Sequence, residues 1–424
     1  FFRYPLEIGE IVSSADMTGY TCNRIEIDKM NHSEIIDTAD RVLATTYQRF
    51  PAVFTRGNGC TLYDENGKKY IDFVAGIAVC GLGHAHPRIA RVVAEQAATL
   101  IHTSNLYYTV PQVKLAAWLT RHSFADRVFF ANSGAEANEA ALKLARKYFK
   151  DQSQSKRFRI IAMERSFHGR TMATLSATGQ EKIRKGFAPV LEGFDFVPFN
   201  DIAALQAAMG PDTAAVLMEP IQGEGGIRVP DADYLPAVRH LCDESGVLLI
   251  FDEIQTGMGR TGRLFAHEHF GITPDIMTLA KALGNGLPIG AMLAKEAVAS
   301  AFKPGSHAST FGGTPLVTAA ALEVVRIIEE EDIILKSKEI GDYFNKQLEK
   351  IKSRHDEVID IRGMGLLLGM KLKTDVAPVV QACLENGFLV NGIQAKILRF
   401  APPLIVTRTE IDALTNCLDE ILDR

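Results

Sequence analysis

The chain has 424 residues, of which 47% are hydrophobic and 23% are charged, a composition that is ordinary for a globular protein. Its formal net charge is −5 and it contains no block of five basic residues, so its electrostatics do not favour binding to nucleic acid or to an anionic membrane. The longest apolar runs, such as residues 247–251, are only as long as strands, and a membrane span needs about 20 apolar residues. Six scattered cysteines without CxxC spacing indicate a reduced, cytoplasmic protein.

The first segment of the chain, residues 1–30, has neither the apolar region of a secretory signal nor the composition of a transit peptide. We expect an N-terminal extension with little defined structure there, and translation from Met30 is one explanation for it. The next stretch, residues 33–47, has helical spacing and offers Ser33 as a helix N-cap. The ordered chain is therefore expected to begin with this helix.

A β-hairpin is predicted next. Residues 60–63 and 69–73 alternate apolar and polar side chains, as half-buried strands do. Between them lies the pair Asn66 and Gly67, which is the strongest short signal for a hairpin. We place this hairpin within residues 31–104, which are predicted to form the N-terminal part of a small domain and the segment that links it to a large one.

The middle of the chain, residues 105–315, changes character because short apolar runs alternate with helical stretches. This alternation is typical of a mainly parallel sheet that helices cover on both faces, and it predicts a large α/β domain. The candidate strands are 127–130, 159–162, 215–218, 247–251 and 289–293, and the candidate helices are 110–121, 135–149 and 235–244.

The C-terminal part of the chain is predicted to return to the small domain. Residues 314–330 predict a long helix, whose stretch 316–330 connects the two domains. Residues 331–424 combine helices with strand-like runs at 358–361 and 366–372, which is typical of an α+β domain. We therefore predict a large α/β domain with a mainly parallel sheet and a smaller α+β domain formed from both chain ends.

Asp252 is the first residue with candidate chemistry. It follows the apolar strand 247–251, and the ligands of open α/β sheets gather at the carboxyl ends of strands. A carboxylate at that position could hold a cationic ring nitrogen. An aspartate there also commonly caps a helix or anchors a loop, so both interpretations stay open from this feature alone.

Lys281 follows an apolar stretch and precedes the glycines Gly284 and Gly286. An apolar setting disfavours the charged ammonium, lowers the pKa of a lysine and makes its amine available as a nucleophile or base. The two glycines indicate that something approaches the backbone closely. An isolated lysine is more often a surface residue, so the role of Lys281 depends on what surrounds it.

Two further segments follow predicted strands. Residues 132–138 open a helix with small side chains, and free backbone N–H groups at a helix N-terminus can bind a phosphate. Residues 167–170 contain Phe167, which could stack on a planar cofactor, and Arg170, which could bind a substrate carboxylate. Each segment taken alone is also compatible with an ordinary junction or with loop packing.

Other catalytic classes find little support in the sequence. The chain contains neither the GxxxxGK motif of P-loop NTPases nor the GxSxG motif of serine hydrolases. His84 and His86 lie two positions apart, but no cluster of cysteines or carboxylates accompanies them, so they do not predict a metal site.

Seven motifs, taken together and in order, resemble those of the class III (fold type I) aminotransferases that depend on pyridoxal 5'-phosphate (PLP). Among them the chain is most similar to the acetylornithine aminotransferases, and the resemblance covers about residues 31–424. It implies the fold predicted above, PLP as the cofactor and transamination as the reaction. The motifs are NSGAEAN at 132–138, FHGRT at 167–171, EPIQGEGG at 219–226, FDEIQTG at 251–257, LAK at 279–281, STFGG at 309–313 and LRFAPP at 398–403.

The resemblance implies a set of cofactor-binding residues. Lys281 would hold PLP as a Schiff base and then shuttle the proton, and Asp252 would pair with the pyridinium nitrogen. The others are Ser133, Gly134 and Ala135 at the phosphate, Phe167 on the ring, Gln255 at the phenolic oxygen, Glu253 and Ile254 beside Asp252, and Thr310, which would reach the phosphate of the partner subunit.

The resemblance also implies substrate-binding residues. Arg170 and Arg399 would anchor carboxylates, and Glu224 would pair with Arg399 until 2-oxoglutarate arrives and then swing away. Ile77 matches a tyrosine of ornithine aminotransferases that contacts a free α-amino group. An apolar residue there suits an acylated nitrogen, although core packing would explain it equally well. Ser309 completes the predicted set.

The implied function is transamination of N2-acetylornithine with 2-oxoglutarate, in arginine biosynthesis, by a homodimer whose sites are shared between subunits. Transaminases that act on succinylornithine, N-succinyl-diaminopimelate, ornithine or 4-aminobutyrate remain alternatives, as does a PLP-dependent aminomutase. A non-enzymatic remnant of the fold would not need a complete site. Departures from the family pattern at Ala282, Asn285, Ala308 and Thr314 leave the shape of the pocket, and therefore the acyl preference, open.

Overall fold

The structure of the protein is a computed structural model that describes residues 30–154 and 156–423. Its contacts divide the chain into two units, one that ends at Val53 and one that begins at Phe54. The predicted N-terminal extension therefore lies almost entirely outside the described residues, and its expected lack of structure stays a prediction.

Among the described residues of the first unit, helix α1 (His32–Val42) begins where the helical spacing predicts a helix and ends five residues before the predicted end at Tyr47. The side chain of Asn31 accepts a hydrogen bond from the backbone amide of Glu34, and the Glu34 carboxylate accepts one from the backbone amide of Asn31. This capping box makes Asn31 the N-cap. The predicted cap, Ser33, lies inside the helix and donates its hydroxyl to Asn31 instead.

The second unit contains the β-strands that organise the rest of the described chain. They are β1 (Phe54–Asn58), β2 (Thr61–Asp64), β3 (Lys69–Asp72), β4 (Arg127–Ala131), β5 (Arg159–Met163), β6 (Phe194–Val197), β7 (Thr213–Met218), β8 (Leu248–Asp252), β9 (Ile276–Leu279), β10 (Gly290–Ala294), β11 (Val358–Met364), β12 (Leu367–Leu372), β13 (Phe388–Leu389), β14 (Asn391–Ile393) and β15 (Ile397–Phe400).

The helices of the second unit alternate with these strands, and 3₁₀ turns occur at Ala266–Phe270 and Lys281–Leu283. None of the helices in the described ranges has the length and apolar character that crossing a membrane requires. The helices are α2 (Ala75–Ala78), α3 (Pro87–Thr99), α4 (Val110–Arg121), α5 (Gly134–Asp151), α6 (Met172–Ala177), α7 (Glu181–Arg184), α8 (Ile202–Ala208), α9 (Tyr234–Ser245), α10 (Glu296–Ala299), α11 (Pro315–Glu330), α12 (Ile333–Arg354), α13 (Ala377–Glu385) and α14 (Arg408–Leu422).

The central sheet has seven strands in the order β4-β10-β9-β8-β7-β5-β6. Strands β6, β5, β7, β8 and β9 run parallel, and β10 is antiparallel to both of its neighbours, β9 and β4. The mainly parallel sheet predicted from the alternating pattern is confirmed. Because β4 has the same direction as β9, the carboxyl ends of β4, β5, β7, β8 and β9 meet at one edge of the sheet.

Both faces of the central sheet are buried, which explains why its strands are almost continuously apolar. On one face, Leu248 and Ile250 of β8 belong to the same core as Leu144 of α5. On the other face, Leu249 of the same strand packs in a second core with Val238 of α9. Each buried aliphatic side chain of this kind contributes about 1.5–3 kcal/mol through the hydrophobic effect.

Two strands of the central sheet, β6 and β9, are not predicted from the sequence. The edge strand β6 mixes phenylalanine with aspartate and is only partly buried. Strand β9 is a fully buried run of four residues. Periodicity cannot separate such short runs from buried loop, and their pairing with β5 and β8 establishes them as strands.

Two four-stranded sheets lie outside the central one in the part of the chain that the structure describes. In the sheet β1-β2-β3-β13, strands β2 and β3 form the hairpin predicted at Gly67, and β13 pairs parallel with β3. Strands from the beginning and the end of the second unit therefore share a sheet, which supports the proposal of a small domain built from both ends. The antiparallel sheet β11-β12-β15-β14 carries Arg399 on β15.

Candidate active site

A cavity of about 420 Å³ opens where the carboxyl ends of the central strands meet. The segments that follow β4, β5, β7, β8 and β9 supply most of its lining, as expected for a ligand site in an α/β sheet. It brings together ten of the residues predicted from the sequence: Ser133, Gly134, Ala135, Phe167, Arg170, Glu224, Asp252, Ile254, Gln255 and Lys281.

Lys281 lies two residues beyond β9, in a left-handed backbone conformation with φ of 49°. Residues other than glycine rarely adopt this conformation, and it persists only where the surrounding structure imposes it. Burial, followed by the Arg399 guanidinium, lowers the pKa of Lys281 to about 8, although Glu224, Asp252 and Glu219 oppose the shift. Part of the amine is therefore neutral at pH 7 to 8, as a nucleophile requires.

Asp252 ends β8, and its carboxylate is held by three hydrogen bonds. Oδ2 accepts from Asn138 Nδ2 at 2.8 Å and lies 2.8 Å from His168 Nδ1, and Oδ1 accepts from the backbone amide of Ile254 at 3.1 Å. Asn138 is oriented in turn by Thr278, whose hydroxyl donates to its Oδ1 at 2.7 Å. This buried network fixes the direction in which Asp252 faces the cavity.

No role is predicted from the sequence for Asn138 or His168, although both lie in motifs that resemble those of the family. Asn138 Nδ2 also donates to the backbone carbonyl of His168 at 2.8 Å, so the two residues hold each other as well as Asp252. The spacing in the sequence could have identified Asn138, because it lies four residues after Gly134 and therefore on the face of α5 that begins at the cavity.

The N-terminus of α5 forms a cradle at the cavity. Ser133 is the N-cap, and its hydroxyl accepts a hydrogen bond from the backbone amide of Glu136. The first-turn amides of Gly134 and Ala135 have no partner within the helix and lie at the cavity, where a helix N-terminus favours an anion. A Cβ atom on Gly134 would lie 2.6 Å from Ile254 Cδ1, so a larger residue at this position would require Ile254 or the helix start to move.

Glu219, for which no role is predicted from the sequence, links two loops of the cavity. Its Oε2 accepts from the backbone amide of Phe167 at 3.2 Å, and its Oε1 accepts from that of Gly223 at 3.0 Å. Burial raises the pKa of Glu219 to about 7, against the opposing effect of His168. The residue opens the EPIQGEGG motif directly after β7, which is the signal that could have identified it.

Phe167 and Arg170 lie on the loop that Glu219 holds. The Arg170 guanidinium carbon is 5.7 Å from the centre of the Phe167 ring, and the arginine is exposed while the ring is half-buried. Between them, Gly169 has φ of 139°, and a Cβ atom there would lie 2.6 Å from Thr174 Oγ1. The tight turn at Gly169 therefore allows both side chains to reach the cavity.

Arg399 is almost fully buried on β15, and its Nη1 donates a hydrogen bond to Glu224 Oε1. Its Nε donates to Asn391 Oδ1 at 3.1 Å. Burial alone would raise the pKa of Glu224, but the Arg399 guanidinium outweighs burial and lowers it. If the Glu224 side chain moved away, the buried Arg399 guanidinium would lose its counter-charge, and another anion would have to take that place.

Gln255 and Glu253 have different environments. Gln255 Oε1 is buried and has no hydrogen-bond partner among the described residues, and a Cβ atom on Gly223 would lie 2.0 Å from it. The Glu253 carboxylate lies outside the cavity lining and accepts hydrogen bonds from the backbone amides of Ala266 and His267 at 2.7 and 2.9 Å. Gln255 thus lines the cavity with its Oε1 buried against Gly223, and Glu253 stabilises the neighbouring turn.

Ser309, Thr310 and Ile77 do not line the cavity in the single chain that the structure describes. The Ser309 hydroxyl accepts a hydrogen bond from Asn132 Nδ2 at 3.1 Å, and Thr310 is exposed. Ile77 has 41% of its surface exposed and φ of 67°, so core packing does not account for its apolar side chain. Arg399 reaches the cavity through its bond to Glu224.

Comparison with known sequences identifies the family. The pattern of the family Aminotransferase class-III matches residues 42–422. The chain belongs to the class III aminotransferases. A protein from Methanocaldococcus jannaschii named acetylornithine aminotransferase is 51% identical to this class III aminotransferase over 399 residues, which cover 94% of this chain and 98% of that protein. The family that the sequence motifs resemble is therefore confirmed.

Solved structures show the same fold. An ornithine aminotransferase from Toxoplasma gondii, with partial occupancy of PLP at its active site, is 33% identical with a TM-score of 0.89, covering 92% of this chain and 94% of that chain. An acetylornithine aminotransferase from Elizabethkingia anophelis is 33% identical with a TM-score of 0.83, covering 93% and 99% of the two chains. The predicted α/β fold of a PLP-dependent transferase is confirmed.

Class III aminotransferases use PLP, and the cavity of this one fits that group. The lysine amine suits the cofactor aldehyde, the Asp252 carboxylate suits a protonated ring nitrogen, and the start of α5 suits a phosphate. Gln255 lines the same cavity, and its buried Oε1 has no hydrogen-bond partner among the described residues.

Proposed function

We propose that this class III aminotransferase transfers the δ-amino group of N2-acetylornithine to 2-oxoglutarate, giving N-acetylglutamate 5-semialdehyde and glutamate, a step of arginine biosynthesis. The observation that carries the proposal is the bond between Arg399 and Glu224 at the cavity that holds the Lys281 amine. The acetylornithine aminotransferases that are about half identical to this chain over most of its length support the same substrate.

In this proposal the cavity residues hold PLP by its three distinct parts. The backbone amides of Gly134 and Ala135 bind the phosphate, Asp252 pairs with the ring nitrogen, and Phe167 stacks on the ring. When bound, PLP withdraws electrons from the substrate carbon that carries the amine. Asp252 keeps its orientation throughout because Asn138 and its neighbours hold the carboxylate independently of the substrate.

Lys281 supplies the base. Its Nζ removes a proton from the δ-carbon of the amine donor and later returns one when the amine is delivered to the oxo acid. A pKa near 8 leaves a neutral amine available at physiological pH, which an ordinary lysine would not provide. The Schiff base that Lys281 forms with PLP and its role as a base in proton transfer therefore both depend on the desolvation of its amine.

Glu224 lets one cavity accept two substrates of different charge. While the acylated donor is bound, its single carboxylate occupies Arg170 and Glu224 neutralises Arg399. When 2-oxoglutarate binds, its second carboxylate takes the place of Glu224 on Arg399. Gln394 Nε2 donates to the Glu224 backbone carbonyl at 2.8 Å, so the backbone is held and only the side chain has to move.

The enzyme is proposed to be a cytoplasmic homodimer in which Thr310 reaches the cofactor phosphate of the partner subunit. Tyr107, Tyr108 and Phe311 are 69%, 97% and 61% exposed in the single chain. The side chain of Asn105 joins the two segments that carry them. Exposed aromatic surface of this kind is typical of an interface, and it lies beside Thr310.

The test of this function is a screen of amine donors in single half-reactions. Purified enzyme loaded with PLP is mixed with acetylornithine, succinylornithine, N-succinyl-diaminopimelate, ornithine or 4-aminobutyrate, and the loss of visible cofactor absorbance is followed. We expect the fastest amine transfer from acetylornithine, because Ile77 and Glu224 suit an acylated donor with one free carboxylate. Lys281→Ala is the control and should show no comparable transfer.

Each part of the proposal has its own contrary outcome in this screen. Rapid transfer from ornithine or 4-aminobutyrate with none from acetylornithine would overturn the substrate. Turnover without any oxo-acid acceptor would indicate an aminomutase. If the wild-type protein acquires no visible band on mixing with PLP, the assigned cofactor site is wrong.

A further inference from the structure

The segment Ser309–Gly313, here called the STFGG loop, is held by an amide side chain from a distant part of the chain. Asn105 Nδ2 donates hydrogen bonds to the backbone carbonyls of Ser309 and Gly312 at 3.2 and 2.9 Å. Gln112 Nε2 donates to Asn105 Oδ1 at 2.7 Å and so fixes the direction of the amide. Asn105 thus bridges the two ends of the loop.

A second amide attaches the loop to the phosphate cradle of the same chain. Asn132, which directly precedes Ser133, donates through Nδ2 to the Ser309 hydroxyl at 3.1 Å and to Glu136 Oε2 at 2.8 Å. The Ser309 hydroxyl also accepts from the backbone amide of Gly312 at 3.1 Å. The root of the loop is therefore part of the structure around the cradle.

Packing leaves the STFGG loop little freedom. A Cβ atom on Gly312 would lie 2.2 Å from the carbonyl oxygen of Phe130, and one on Gly313 would lie 2.5 Å from Gln112 Nε2. Gly313 also has φ of 73°, a conformation that favours glycine. The backbone of the loop is pressed against the end of β4, while Thr310 at its tip is exposed.

We propose that Asn105 is a positioning residue that sets the affinity of the partner subunit for the cofactor phosphate. This inference rests on the proposed dimer, in which Thr310 crosses to the partner. Because Asn105 orders the loop within its own chain, Thr310 meets the phosphate without a further loss of loop entropy on binding. Asn105 therefore favours PLP binding only through the contact between Thr310 and the phosphate, and only in the site of the partner subunit.

The first experiment compares PLP with pyridoxal, which lacks the phosphate, in binding to the apo-dimer. Asn105→Asp retains the shape of the side chain and can accept from Gln112, but it cannot donate to the two loop carbonyls. We expect Asn105→Asp and Asn105→Ala to weaken PLP binding about tenfold, the loss of one or two hydrogen bonds, and to leave pyridoxal binding unchanged. Dimer mass and melting temperature of the apo-proteins are the controls.

The second experiment separates the two sites with mixed dimers. One subunit carries Lys281→Ala, so that the visible band of lysine-linked PLP reports only on the site of the other subunit. Asn105→Ala placed in the Lys281→Ala subunit is expected to speed the loss of PLP from the reporting site about tenfold. The same substitution in the reporting subunit is expected to leave that rate unchanged. Thr310→Ala is tested in both arrangements.

The outcomes distinguish this inference from the proposed dimer on which it rests. If Thr310→Ala acts across the dimer and Asn105→Ala does not, the positioning role is wrong and the shared site stands. If Thr310→Ala acts within its own subunit or has no effect, the shared site itself fails. If the Asn105 variants weaken PLP and pyridoxal equally, the residue is merely structural and the inference is overturned.

Discussion

The reactivity of Lys281 comes from its surroundings rather than from its residue type. An exposed lysine has a pKa near 10.4 and is protonated at neutral pH, whereas the desolvated amine of Lys281 has a pKa of about 8. Arg399 adds to the effect of burial, and the acidic residues of the cavity reduce it without reversing it. The same guanidinium that is proposed to bind substrate therefore also helps to keep the amine neutral.

The rate at which the apoenzyme captures PLP should follow the neutral fraction of Lys281. A lowered pKa means that the neutral amine accumulates as pH rises through about 8, so the capture rate should rise between pH 6 and 8 and level off above about 9. Stopped-flow absorbance over this range measures it. Lys295→Ala is the matched control, since Lys295 is paired with Asp275 outside the cavity. A midpoint near pH 10 would contradict the desolvated amine.

Among the elements, helix α5 contributes to the site at two positions along its length. Its first turn, beginning at Gly134, forms the cradle, and one turn later Asn138 reaches Asp252 at 2.8 Å. Further along, Leu144 anchors the helix in the core beneath the central sheet. A single helix thus relates the phosphate position to the ring-nitrogen position, and a shift of the helix would move both together.

Gly134→Ala should weaken PLP binding more than it destabilises the fold. The added Cβ atom would lie 2.6 Å from Ile254 Cδ1, so either the helix start or Ile254 has to move within the cavity. We expect about tenfold weaker PLP binding with a loss of about 1 kcal/mol or less in stability. Titration of the visible cofactor band and thermal unfolding of the apoenzyme measure the two effects.

The contact with Ile254 supplies a rescue test for this substitution. Ile254→Val removes the Cδ1 atom and should restore part of the affinity of the Gly134→Ala variant, while changing the wild-type protein less. A double variant no better than Gly134→Ala would show that crowding against Ile254 is not the cause.

At the scale of the whole molecule, the exposed surface around Tyr108 and the STFGG loop is the proposed dimer interface. Thr310 and Phe311 project from a loop whose backbone is fixed, and the neighbouring aromatic side chains are exposed in the single chain. A monomer would leave this surface in water and Thr310 without the role that the family resemblance implies. Dimerisation is therefore the proposed condition for a complete phosphate site.

Tyr108→Asp should shift the protein from dimer to monomer and weaken PLP binding with it. Tyr108 is 97% exposed in the single chain, and burial of an added carboxylate in an apolar interface is unfavourable. Sedimentation velocity over a range of concentrations measures the dissociation. Leu335→Asp is the control, because Leu335 is 56% exposed on α12 and should leave the dimer intact. A Tyr108→Asp dimer as stable as wild type would place the interface elsewhere.

Prediction from sequence succeeds where the signal is local. Strand–helix alternation predicts most of the central sheet, and the hairpin at Gly67 follows from its turn residues. It fails where tertiary pairing decides, as for the short strands β6 and β9. Glu219 was missed for a related reason, because its two hydrogen-bond partners lie on separate loops. The N-cap of α1 was predicted two residues too late although its signal is local, because Asn31 and Glu34 have the spacing of a capping box.

The sequence by itself determined most of the elements, the family and the chemical groups available to the site. Tertiary structure alone decided how those groups act on one another. Asn138 and Asp252 are separated by 114 positions and Glu224 and Arg399 by 175, yet each pair is in direct contact. The pKa of Lys281 depends on such contacts and on the exclusion of water, and both arise from packing between distant segments that local sequence patterns do not encode.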